Sequence, residues 1–206
     1  MAEQTNRTEL AVGLSQRFAD ALAFAFEVHR TQTKKATRIP YVSHLLEVAG
    51  TVLTYGGDED EAIAALLHDA VEDHSDAVSF ASLAQRFGTR VAAIVESCSD
   101  TSVSPKPPWK ARKERYIDHL SGADESVVIV SAADKLSNAR AVIKDFRELG
   151  DGVWTRFNAG KPDQLWYYRT VTAVLARRAK GTRVQPLVDE LGRAVQKLER
   201  LCGAAD

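Results

Sequence analysis

Six consecutive residues, His68-Asp69-Ala70-Val71-Glu72-Asp73, include four side chains able to hold a metal or move a proton. They follow the apolar run Ala64-Ala65-Leu66-Leu67, so the pattern predicts the end of a buried helix. On a helix, residues three and four apart share a face, which would align His68 with Glu72, and Asp69 with both Glu72 and Asp73. Carboxylates on a buried face are costly unless a cation or a hydrogen-bond partner compensates them. An imidazole beside a carboxylate suits a divalent ion that accepts mixed nitrogen and oxygen donors.

Two more residues extend the set. Asp134 lies in Ala132-Ala133-Asp134-Lys135-Leu136-Ser137-Asn138, inside an apolar helical pattern, and needs a partner. Lys135 is adjacent and should point about 100° away on a helix, which leaves a metal as the expected partner. His44 follows Tyr41 at the start of an amphipathic segment and would be an ordinary polar residue taken alone. The order His…His-Asp…Asp, in a chain with five histidines, makes His44, His68, Asp69 and Asp134 a four-donor set carried by three helices. Asn138, at i+4 from Asp134, should stand beside it. His29, His74 and His119 are not expected to be ligands.

The elements that must position these donors read as helices almost throughout. Leu10, Leu14, Phe18 and Leu22 predict a first helix over about 8–32. A basic break, Thr33 to Arg38, leads to Pro40, which biases Ile39 toward extended backbone. Ser43 is the expected cap of a second helix that stops at Gly56-Gly57, and Asp58 the expected cap of the third. Phe80–Phe87 and 90–98 follow as short helices divided by Gly88. Asp100 to Pro108, with three prolines, reads as a loop before the basic stretch Trp109 to Arg115. Val127-Val128-Ile129-Val130 could locally be a strand, but apolar residues continue at helical spacing to Phe146, so a buried helix over 126–146 is expected. Two more helices follow Pro162 and Pro186.

The chain has 206 residues, 45% hydrophobic and 27% charged, as in a soluble globular protein with a substantial core. A net charge of -1 gives no global pull toward nucleic acid or an anionic membrane. No apolar run reaches membrane-spanning length, and the first eight residues lack the pattern of a signal peptide. Cys98 and Cys202 have no metal-site or disulfide spacing and suit inert thiols in a reducing compartment. A cytoplasmic protein is expected.

His44, His68-Asp69 and Asp134 resemble the metal-binding signature of the HD superfamily of phosphohydrolases. Pro40-Tyr41-Val42-Ser43-His44, Leu66 to Asp73, and Ala133 to Arg140 are similar more narrowly to the hydrolase domain of the RelA/SpoT type, over about Phe18 to Arg147. The resemblance implies an all-α, single-domain HD-type bundle over 1–206, with a core at about 8–147 and C-terminal helices over 148–206 packing on it. It implies one Mn²⁺ held by His44, His68, Asp69 and Asp134, and Glu72 and Asp73 as the acidic pair that activates water. The implied reaction removes the 3′-pyrophosphate of (p)ppGpp, giving GDP or GTP plus pyrophosphate. No synthetase segment follows the match, so the likeness is to small stand-alone alarmone hydrolases.

Substrate contacts are expected from Lys35, Arg38, Asn138, Arg140 and Lys113. Lys35 and Ala36 stand where the family has Arg-Lys, and lysine neither stacks on a base nor grips phosphate bidentately as arginine does. Guanine or adenine preference is therefore open. Tyr168 and Arg169 are further candidates for nucleotide contact. The rival readings are an HD phosphohydrolase for another nucleotide (ppApp, the 2′-phosphate of NADPH, a nucleoside monophosphate) and a sensor that binds alarmone without cleaving it. Oligomeric state is not legible.

Overall fold

The computed structural model describes residues 13–101 and 105–203. Apart from one isolated β-bridge between Thr33 and Pro40, all regular structure among the described residues is helical. The elements are α1 (Gln16–Val28), α2 (Val42–Thr54), α3 (Glu59–Leu67), α4 (Ala70–Asp73), α5 (Phe80–Phe87), α6 (Thr89–Cys98), α7 (Trp109–Leu120), α8 (Glu125–Leu149), a 3-10 turn (Gly150–Arg156), α9 (Lys161–Ala179) and α10 (Gln185–Gly203). No described helix is long and apolar enough to cross a membrane.

Two helices organise the rest. In α3 every residue from Glu61 to Leu67 is buried, and α1, α2, α6 and α8 pack around it. Its start is set as expected by Asp58, whose side chain accepts from the Glu61 amide at 2.9 Å while Glu61 accepts from the Asp58 amide at 2.8 Å. Acidic side chains at 59–61 also suit the positive end of the helix. The buried Glu61 carboxylate is neutralised from the far end of the chain, by Arg183 at 2.6 Å. The second organiser, α8, is 25 residues long and touches α2, α3, α6, α9 and α10. The Val127–Val130 run lies inside it, fully enclosed, which explains why it is apolar on every side.

Several boundaries differ from expectation. The first helix begins at Gln16, because Ser15 caps it by accepting from the Arg17 amide at 3.2 Å, and it ends at Val28. Leu14 therefore precedes the helix and is exposed, while Leu10 lies outside the described residues. Helix α2 is entered through Tyr41 rather than Ser43; the Ser43 hydroxyl is buried and makes no capping bond. Pro40 and Tyr41 already supply the carbonyls that accept from the Ser43 and His44 amides, so the first turn forms two residues early.

Gly56 (φ 79°) reverses the chain after α2, and the Gly57 amide closes the turn on the Val52 carbonyl at 2.8 Å. A Cβ at Gly57 would lie 2.3 Å from Val52 Cγ1 and 2.8 Å from that carbonyl oxygen, so backbone must move to admit it. Gly57→Ala should cost about 2 kcal/mol by overpacking, read as a lowered thermal midpoint. An unchanged midpoint would mean the turn is looser than this contact indicates.

Candidate metal centre

The short break between α3 and α4 creates the site. His68 follows α3, and Asp69 (φ -100°, ψ -4°), at the edge of the right-handed helical region, links it to α4. The expectation of one continuous helix with partners at i+3 and i+4 is corrected here. The break lets adjacent residues converge, with His68 Nε2 3.0 Å from Asp69 Oδ2. From α2, His44 Nε2 lies 3.3 Å from His68 Nε2 and 3.7 Å from Asp69 Oδ2. From α8, Asp134 Oδ1 lies 3.2 Å from His44 Nε2 and 3.6 Å from His68 Nε2. Donor atoms of His44, His68 and Asp134 all lie within 4.8 Å of one another, close enough to surround a single ion with ligand bonds of about 2 Å, and Asp69 Oδ2 stands at the edge of this cluster, 3.0 and 3.7 Å from the two imidazoles.

Hydrogen bonds behind the imidazoles support that fit. His68 Nδ1 donates to the Ala65 carbonyl at 2.8 Å, leaving the lone pair on Nε2. The Ser137 hydroxyl donates to Glu47 Oε2 at 2.8 Å, so it must accept from His44 Nδ1, 3.0 Å away. Both Nε2 lone pairs therefore face one point inside the buried pocket, an arrangement that calls for a cation between them. The surrounding charges act in the same sense. Burial alone would lower the His68 pKa, but Asp69 and Asp134 outweigh it and raise it well above the usual imidazole value. Burial would raise the Asp134 carboxyl, yet Lys135 and the two imidazoles hold it well below the usual range.

Lys135 was expected to point away from Asp134. Instead its Nζ donates to Asp134 Oδ2, with both residues buried. The 100° offset governs where Cβ points, and a four-carbon stem is long enough to curl back. Asp134 thus divides its oxygens: Oδ2 takes the ammonium, and Oδ1 faces the imidazoles while accepting from Asn138 Nδ2 at 2.5 Å. On Asp69, Oδ2 also accepts from the Tyr41 hydroxyl.

Two cavities meet at this centre. The smaller, about 140 Å³, is walled by Asp69, Asp134, Glu72, Asp100, Lys113 and Lys135 among others. The larger, about 580 Å³, lies in the range of small-molecule sites. It has an aromatic side (Trp109, Phe157, Tyr167, Tyr168) and a basic rim (Lys34, Lys35, Lys144, Arg156). Tyr41, Lys113, Lys135, Asn138 and Tyr167 line both.

The remaining candidates divide. Glu72 borders the small cavity, accepting from Lys106 Nζ at 3.1 Å and from the Asp100 amide at 3.3 Å. Burial and the charges of Asp100 and Asp69 raise its pKa, against the pull of Lys106 and Lys113. Asp73 lines neither cavity: it is exposed and accepts from Gln32 Nε2 at 2.8 Å, because α4 turns it away from Glu72. Asn138 and Lys113 line both cavities, with Lys113 paired to Asp100 at 2.7 Å. Of these two cavities Lys35 and Arg140 line only the larger, Lys35 donating to Asn158 at 2.7 Å and Arg140 bound to Glu190. Arg38 is exposed and lines neither; the turn held by the Lys34 amide and Ile39 carbonyl (2.8 Å) presents Lys34 in its place. Arg169 pairs with Glu199 away from the cavities, whereas Tyr168 lines the larger. Ala141 and Asp145 were missed, although they continue the helical face of Asp134 and Asn138 at i+7 and i+11. Cys98 is a free thiol whose pKa burial pushes up to about 11, which keeps it inert.

The HD domain model matches residues 21–164. The chain is 37% identical over 124 residues to the guanosine-3′,5′-bis(diphosphate) 3′-pyrophosphohydrolase MESH1 of Xenopus tropicalis, covering 59% of this chain and 66% of that protein. It is 33% identical over 125 residues to a probable enzyme of the same description from Synechocystis, of which the match spans 16%. Among solved structures, a metazoan ortholog of SpoT that hydrolyzes ppGpp superposes with a TM-score of 0.67 at 26% identity, over 89% of this chain and 97% of that one.

Proposed function

Because this chain belongs to the HD domain family, we propose that it is a Mn²⁺-dependent hydrolase that removes the 3′-pyrophosphate of (p)ppGpp. The observation that carries the reading is the wall shared by the two cavities. A nucleotide-sized pocket with aromatic and basic sides, lined in part by His44, shares a wall with a small polar compartment lined by Glu72, Asp69 and Asp134. The relatives that hydrolyse this pyrophosphate support the substrate. A nucleotide substrate also suits a cytoplasmic setting.

In this reading His44, His68, Asp69 and Asp134 would hold the ion, which when bound supplies a water of lowered pKa and positive charge beside the phosphoryl group. Glu72 accepts the proton of the attacking water, and its raised pKa brings it nearer to neutral operating pH. The water oxygen bonds to the phosphorus attached to O3′ and the P–O3′ bond breaks. The 3′-oxygen takes up a proton, and pyrophosphate leaves with GDP or GTP as the other product. Lys113 and Lys135, on the shared wall, hold the pyrophosphate oxygens. Asn138 orients the sugar side, and the rings of Trp109 and Tyr167 take the base. Asp73 acts by positioning, through Gln32, whose Nε2 donates to Asp73 and whose Oε1 accepts from His29 Nδ1 (2.6 Å) and His74 Nε2 (2.9 Å).

The purified chain with Mn²⁺ should consume ppGpp and release pyrophosphate, in a panel that also contains ppApp, NADPH and dAMP. Ready release of phosphate from a monoester with ppGpp untouched would reject the proposal. Binding of ppGpp without turnover of any compound would favour a sensor.

A further inference from the structure

A third cleft, about 420 Å³, runs between α8 and α10. Its cations are Arg140, Lys144 and Arg147 from α8 and Arg193 and Lys197 from α10; Glu190 is its one carboxylate. The cations recur at i, i+4 and i+7 on α8, and at i and i+4 on α10, so each helix presents a basic stripe. The packing of α10 along α8 brings the stripes face to face. Glu190 is already engaged by Arg140 and by the Tyr55 hydroxyl. Lys144, Arg147, Arg193 and Lys197 make no ion pair among the described residues. In a chain with 28 acidic residues and a net charge of -1, this is a local concentration of uncompensated charge. Like charges gathered around one concavity repel each other until an anion joins them.

We propose that this cleft is a second anion site, distinct from the metal centre, which takes a short phosphate chain: pyrophosphate or the polyphosphate of a nucleotide. Arginine forks match phosphate oxygens in pairs, and lysines add point charges. From Arg140 to Arg147 the stripe runs about 10 Å along the helix axis, a length that suits linked phosphates better than one isolated phosphate. Arg140 and Lys144 also line the large cavity, whereas Arg147, Arg193 and Lys197 belong to the cleft alone.

The test is calorimetric titration of the full chain, freed of metal by chelation, with inorganic pyrophosphate. Wild type should show two binding events, one for the large cavity and one for the cleft. The double variant R193Q/K197Q, with an unchanged melting curve, should lose or weaken one of them by about tenfold or more and keep the other. Single K197Q serves if the double variant folds poorly. Retention of both events within twofold in a folded variant, or a single wild-type event that the variant leaves intact, overturns the proposal. Repeating the titration with GDP and GTP separates the sources: tighter binding than pyrophosphate at the sensitive event assigns a nucleotide, and equal binding assigns the inorganic chain. The readout is binding at residues outside the large cavity, so its failure leaves the hydrolase proposal untouched.

Discussion

Asp134→Ala should empty the metal centre and abolish turnover together. Asp134 offers one oxygen to the same point as both imidazoles and uses the other to neutralise Lys135. Its removal deletes an anionic donor and leaves an uncompensated ammonium beside the ion's position. Opposite unit charges about 4 Å apart attract by about 4 kcal/mol at an effective dielectric of 20, and the freed lysine adds repulsion of the same order. Metal affinity should therefore fall by more than the roughly 10–100-fold that loss of an outer hydrogen-bond partner costs. Metal content per chain, measured after gel filtration, should drop from about one toward zero, with hydrolysis at background. Asp134→Asn, which preserves the side chain's shape, separates loss of charge from disturbed packing and should behave alike. Stoichiometric metal in either variant would remove Asp134 from the donor set.

Glu72→Gln should give the opposite split: metal retained, turnover reduced by about 10²–10⁴. Glutamine fills the same space and can still accept from Lys106 or the Asp100 amide, but it cannot take up a proton. The pH profile supplies a second readout. A general base works when ionised, so the wild-type rate should rise with pH through the Glu72 pKa. Burial and the neighbouring Asp100 and Asp69 charges raise that pKa above the usual glutamate value, so the acidic limb should lie above that value too. The variant should lack this limb. If Glu72→Gln loses metal in parallel with activity, Glu72 belongs with the ligands and the assignment of the base is wrong.

Much of this architecture was legible from residue order. The all-helical class followed from apolar spacing, and the α3 cap from Asp58 with Glu61, because both are local and repeat over short distances. The cluster of His44, His68 and Asp134 was legible for a different reason. Buried imidazoles and carboxylates are costly, so their presence in apolar runs marks where compensation must occur. What escaped was local geometry decided by non-local packing. The α3–α4 break cannot be read from Leu67-His68-Asp69-Ala70, yet it makes His68 and Asp69 converge and turns Asp73 outward. The reach of Lys135 back to Asp134 likewise depends on the buried wall that leaves the ammonium no better partner.

The substrate side shows the same division. Arg38 and Lys34 are nearly interchangeable as sequence neighbours, and only the turn between Lys34 and Ile39 selects which of them faces the cavity. Arg156, Phe157 and Tyr167 come from the C-terminal third, more than one hundred positions from Lys34 and Lys35, and no periodicity connects them. By itself, then, the sequence determined which elements are helices and which side chains must be compensated inside them, since periodic burial and desolvation cost act locally along the chain. Tertiary structure alone decided which atoms share a point and which cations line a cavity, since those depend on helix breaks and on how α8, α9 and α10 close over one another.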